Sequence, residues 1–189
     1  MSWFAYVDES ESDQRRDPGV YLLGAALVPA SVMEQARDVL RGLLLPGQRK
    51  LHWHNESDKR RRLIAETVCQ MEALHVVVVR DCLDTERTER RRRKCLERLL
   101  VELDSRGVER VYVEARQRKQ NEADLLMLDA LRSQRVVGRA LRMYHVPGPG
   151  EPLLWLPDAV IGSVTADRLG EPDYLEVLRP LVELISIGA

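Results

Sequence analysis

Five runs along the chain are dense in β-branched, aromatic and other apolar residues and are bounded by turn formers. They predict strands over residues 3–10, 20–28, 74–79, 109–114 and 140–146. Residues 20–28 are apolar at both alternating positions, the pattern of a strand covered on both faces. The Asp17-Pro18-Gly19 turn before them joins the first two runs as a hairpin. Elsewhere the apolar positions recur at helical spacing. Ser31 can cap a helix carrying Val32, Ala36, Leu40 and Leu43, and Ser57-Asp58 can open a second one, reaching Glu72, with Ile64 and Val68 on its inner face. Asp84 or Thr85 can cap a long helix to about Ser105, with the stripe Cys95, Leu96, Leu99, Leu100 and Leu103. Further helices are expected from about Asn121, from near Pro157, and from Asp173 through Leu184 with a kink at Pro180. A hairpin followed by strands alternating with helices implies an α/β architecture: a mixed sheet of about five strands flanked by helices, forming one domain over residues 1–189.

Three apolar runs deliver an acid where they stop: Asp8 after Tyr6-Val7, Glu114 after Tyr112-Val113, and Asp158 after Leu156-Pro157. One such acid is explained by a strand's solvent face, whereas three at element ends point to a shared site. Clustered carboxylates suit hard divalent cations, Mg²⁺ or Mn²⁺, far better than zinc. Two such ions about 3.5–4 Å apart can activate water for phosphodiester cleavage and stabilise the leaving oxygen. The expected assignment has Asp8 bridging the ions, Glu114 and Asp158 each holding one, and Glu9 or an acid of the long helix completing a shell. His52 and His54 form an HxH pair. They are read either as two ligands on an extended segment or as a turn whose imidazoles pack, hydrogen-bond or line a groove.

The formal net charge of −1 excludes a global basic field, so nucleic-acid affinity has to come from local clusters. Two are present: Arg90, Arg91, Arg93 and Lys94 in a run of five cations, and Lys59-Arg60 at the start of the preceding helix. Each is either a solvated helix face or a phosphate contact. Apolar residues make up 44% and charged residues 31%, a globular balance. No run reads as a membrane span or signal peptide, so a cytoplasmic location is expected. Cys69, Cys82 and Cys95 form no CxxC pair and fit reduced thiols. There is no GxxxxGK[ST] phosphate loop or GxSxG elbow, which argues against nucleotide-cofactor and serine-hydrolase chemistry.

Tyr6-Val7-Asp8-Glu9-Ser10 and Leu156-Pro157-Asp158-Ala159-Val160-Ile161-Gly162 resemble the two signature stretches of the DUF3800 family, a largely uncharacterised group with a ribonuclease H-like fold. The chain departs from those signatures at Glu11, Trp155 and Pro157 and keeps Asp158. The resemblance implies acids on the first strand, the fourth strand and the last helix, which Asp8, Glu114 and Asp158 match. It also implies a further acid from the helix after the third strand, for which Glu86 and Glu89 are candidates. The function expected is that of a divalent-metal-dependent nuclease or phosphodiesterase. The alternative is a non-catalytic nucleic-acid or protein-binding module that keeps the fold.

Overall fold

The computed structural model describes residues 2–81 and 86–188. In chain order these form β1 (Trp3–Glu11), β2 (Val20–Pro29), α1 (Met33–Gly42), α2 (Asp58–Cys69), β3 (Leu74–Asp81), α3 (Thr88–Ser105), β4 (Val108–Glu114), α4 (Arg118–Ser133), β5 (Arg142–Val146), α5 (Trp155–Arg168), α6 (Asp173–Leu178) and β6 (Val182–Ile187). The strands make one sheet in the order β5-β4-β1-β2-β3-β6. β2 is antiparallel to both its neighbours and the other strands run parallel to β1. The C-terminal ends of β1, β3, β4, β5 and β6 therefore share one edge.

Each face of the sheet carries its own apolar core. On one side Tyr6, Leu22, Val77 and Val79 pack under α1, α2, α5 and α6; on the other Val7, Leu23, Val76 and Val78 pack under α3 and α4. All ten residues of β2 are buried, as its two-faced apolar pattern requires. Among the described residues no helix is long and apolar enough to cross a membrane.

Two expectations change. The helix expected from Asp173 through Leu184 stops at Leu178, and Val182–Ile187 instead adds a sixth strand, parallel to β3. Pro180 has no N–H to continue the helix, and the β-branched Val182, Ile185 and Ile187 favour the sheet edge. α4 begins at Arg118 rather than near Asn121, because Gln117 and Gln120 close a reciprocal capping box. The caps proposed at Asp84 or Thr85, and Cys82, lie outside the described residues.

Candidate active site

Strand periodicity and register assemble the acids. In the parallel pair of β1 and β4, Tyr6 faces Tyr112 and Val7 faces Val113, so the next residues, Asp8 and Glu114, stand side by side on the face that α5 covers. Asp158 enters in the first turn of α5, as expected. Burial, followed by repulsion from Asp158 and then Glu114, pushes the Asp8 carboxyl up to about 7, against the opposing pull of the Glu9 N–H and of Lys50. The three acids thus share one electrostatic environment.

Each of the other two acids has a partner that the sequence did not announce. The Lys50 ammonium donates to both Glu114 oxygens, at 2.8 and 2.7 Å. Burial alone would lower the Lys50 pKa, but the bond to Glu114 and the nearby Asp8 and Asp158 hold it above its ordinary value. Gly148 lies directly over this pair: a Cβ there would stand 2.0 Å from Glu114 Oε1 and 3.1 Å from Lys50 Nζ. Asp158 accepts the Trp53 backbone N–H at 2.7 Å and approaches His52 Nδ1 at 3.3 Å. That carboxylate raises the His52 pKa. The Trp53 indole is wedged against Gly162, where a Cβ would fall 2.1 Å from the ring, and meets Tyr174 edge-on at 5.2 Å. Gly162 of the late motif therefore fixes the backbone donor that orients Asp158.

Trp53–Asn55 forms a 3₁₀ turn, so the HxH segment takes its turn reading. His52 and His54 line a cleft of about 510 Å³ together with Arg61, Asp158 and Thr165. Among the described residues, no group of three or more His, Cys, Asp or Glu side chains stands in an arrangement that would hold a metal ion. Lys50 sits on Glu114 in the position of a counter-ion.

Several expected site residues are placed elsewhere. Glu9, next to Asp8 in the strand, points to the opposite face, where its carboxylate is bound by Arg92 Nε. Arg92, only 2% exposed, also donates to Asp124 at 2.6 and 2.9 Å, and His145 Nε2 lies 3.1 Å from the same carboxylate. Glu86 is clamped by Arg80 at 2.7 and 3.0 Å, and Glu89 is exposed and bonded to Arg116, so neither joins the acids of β1 and β4. Of the cations, Arg91 is buried, and Arg60 is tied to Glu56 and the Leu43 carbonyl, so neither is a free phosphate contact. Arg90, Arg93, Lys94 and Lys59 are exposed, with Arg90 paired to Glu86 at 3.0 Å. α3 packs on the face of the sheet opposite to that of Asp8 and Glu114, so its cations lie across the sheet from the acids.

The missed Arg92–Asp124 pair did leave a signal. Arg92 stands three, four and seven residues before Cys95, Leu96 and Leu99, and Asp124 four and seven before Leu128 and Leu131. Opposite charges thus interrupt two apolar stripes. Lys50 left none.

No family model and no curated protein matches the chain. Solved structures do. The ribonuclease H2 of Pyrococcus horikoshii OT3 superposes with a TM-score of 0.53 at 15% identity, covering 92% of this chain and 76% of that one. The fold is ribonuclease H-like. Archaeoglobus fulgidus RNase HII, in its complex with PCNA, gives 0.55 at 14% identity, covering 92% and 76%. Bst-RNase HIII in complex with Mn²⁺ gives 0.51 at 14% identity, covering 95% of this chain and 54% of its own. The chain thus spans about three-quarters of the archaeal enzymes and about half of Bst-RNase HIII.

Proposed function

We propose that the chain is a divalent-metal-dependent nuclease or phosphodiesterase acting on nucleic acid through Asp8, Glu114 and Asp158. The observation that carries this reading is geometric: strand register sets Asp8 beside Glu114, and the first turn of α5 brings in Asp158, so that burial and then these two carboxylates push the Asp8 carboxyl up to about 7. A donor set of carboxylate oxygens alone fits Mg²⁺ or Mn²⁺. Bound there, such a cation would lower the pKa of a water and stabilise charge on the leaving oxygen. Asp8 would be the central ligand, Glu114 and Asp158 the flanking ones. The Trp53 N–H fixes the Asp158 carboxylate, so that little ordering remains to be done on binding. Lys50 would release Glu114 and turn its ammonium toward substrate phosphate. His52, exposed at the cleft mouth and bonded to Asp158, is placed to hold a proton for the leaving group. Lys59, on the α2 side of the sheet, would contribute an outlying phosphate contact, whereas Arg90, Arg93 and Lys94 of α3 lie across the sheet from the acids. The motif resemblance to the DUF3800 family belongs to this reading.

A binding module that keeps the fold without the chemistry is favoured by one observation: Lys50 neutralises Glu114 from within. Incubation of wild type and Asp8→Asn with labelled oligonucleotides, in Mn²⁺, Mg²⁺ or chelator, separates the two. Cleavage by wild type alone, and only with metal, is the expected result. Binding without cleavage under every condition supports the module.

A further inference from the structure

The register that pairs Asp8 with Glu114 also organises the rest of that face. Across β1, β4 and β5, Tyr6, Tyr112 and Tyr144 fall in one row, while Phe4, Arg110 and Arg142 form the row before it. Asp8 and Glu114 come two residues after the tyrosines, roughly 6.6 Å further along the strands. The three phenol rings are stacked: Tyr6 on Tyr112 at 5.1 Å and 16°, Tyr112 on Tyr144 at 5.5 Å and 25°. Their cover thins toward the sheet edge. Tyr6 is fully buried, with its hydroxyl held by Arg37, which is itself clamped on Glu151; Tyr112 is half-buried; and Tyr144, on edge strand β5, is 44% exposed. One face of the Tyr144 ring is occupied by Tyr112, so the stack ends on an open aromatic surface. Arg110, over the Phe4 ring at 5.1 Å and hydrogen-bonded to Tyr112, and Arg142, which donates to the Arg139 carbonyl at 2.6 Å, are both exposed beside it, and among the described residues neither is ion-paired with a carboxylate.

We propose that this open wing of β4 and β5 is a stacking platform for unpaired nucleobases, so that the strand delivered to Asp8, Glu114 and Asp158 is single-stranded next to the site. An aromatic face flanked by cations matches a base followed by its phosphate, and stacking is indifferent to base identity. In a duplex the base faces are covered by their neighbours, and only a terminal pair can reach the ring. The face also decides between the available cations: Arg110 and Arg142 lie on the same side of the sheet as the acids, whereas the basic run of α3 lies on the other.

The proposal rests on the nucleic-acid reading above but is tested by binding alone. Fluorescence anisotropy of a short labelled oligothymidylate, titrated in chelator, would compare wild type, Tyr144→Ala and Tyr144→Phe. The expected result is tighter binding of the single strand than of a blunt duplex of equal length, and an affinity loss of about tenfold for Tyr144→Ala. Tyr144→Phe should bind like wild type, because the ring and not the hydroxyl makes the contact. Equal melting temperatures for the Tyr144 variants would confirm that the fold is intact. Equal affinity of Tyr144→Ala and wild type, a preference for duplex, or no binding by wild type would each overturn the platform. Tyr144-dependent binding without metal-dependent cleavage would keep the platform and sink the nuclease reading instead.

Discussion

Asp8 and Glu9 are neighbours in one strand, yet they enter opposite electrostatic worlds. Asp8 faces two other carboxylates, with one half-buried ammonium nearby and a carboxyl pushed up to about 7. Glu9 faces Arg92, whose guanidinium also grips Asp124, and Arg116 stands 3.7 Å from Asp124 and 3.9 Å from Glu9. Burial alone would raise the Asp124 pKa, but the bonds from His145 and Arg92 hold it below the ordinary carboxylate range. One cluster is short of positive charge and strained by its own anions. In the other, Glu9 and Asp124 are each matched by a guanidinium. A site that recruits a cation has to look like the first, whereas a device that ties α3 and α4 to the strand ends looks like the second.

The largest expected effect lies on the charge-matched side. Arg92→Met should destabilise the fold by about 3–5 kcal/mol, because removing one partner leaves buried carboxylates uncompensated. Denaturant unfolding monitored by circular dichroism measures this. A loss below about 1 kcal/mol would mean that the network contributes no more than an exposed pair.

The opposite sign is expected at Asp8. Its folded-state pKa lies above the unfolded value of 3.8, so the native state binds the proton more tightly. Wild-type stability contributed by this group therefore falls as pH rises from about 4 to about 7 and is flat above that. Asp8→Asn removes the loss. At pH 8 the metal-free variant should be more stable than wild type by up to about 4 kcal/mol, and the gap should close toward pH 4. His75 works the other way, since burial lowers its pKa to about 4, but it is common to both proteins and cancels in the difference. Asp124, with its depressed pKa, gives stability that is lost only as pH falls through its folded value, so the two clusters respond at opposite ends of the acid range. A pH-independent difference between wild type and Asp8→Asn would erase the contrast.

A smaller effect is expected from Lys50→Gln. Without metal it should cost at most about 1 kcal/mol after solvent screening, because the Lys50–Glu114 pair is partly exposed. Mn²⁺ affinity, measured by calorimetry, should rise several-fold, since the ion no longer competes with an ammonium for Glu114. A fall in affinity would assign Lys50 to the support of the site rather than to its occupation.

The sequence made these clusters unequally visible. Asp8, Glu114 and Asp158 could be read because each closes an apolar run, and the ends of parallel strands and of the helix packed on them converge. Glu9 was drawn into the same site by adjacency, although a period of two sends neighbouring strand residues to opposite faces. Arg92 hid inside a run of like charges, where only its place on the apolar stripe betrayed it. Lys50 meets Glu114 across a separation that no local pattern encodes. The sixth strand was misread because Leu181, Val182 and Leu184 continue a helical spacing that Pro180 had already ended. The five other strands followed from β-branched, aromatic and apolar runs bounded by turn formers, and their alternation with helices from helical spacing in between.

The central claim is that the anion-rich cluster of Asp8, Glu114 and Asp158 takes a divalent cation, and thermal melting under Mn²⁺ titration tests it most directly. A ligand that binds only the native state raises the melting temperature saturably. Wild type should show such a rise, and Asp8→Asn, lacking the central carboxylate, should show none. A wild-type melting temperature indifferent to millimolar Mn²⁺, or an equal rise in Asp8→Asn, would contradict the claim.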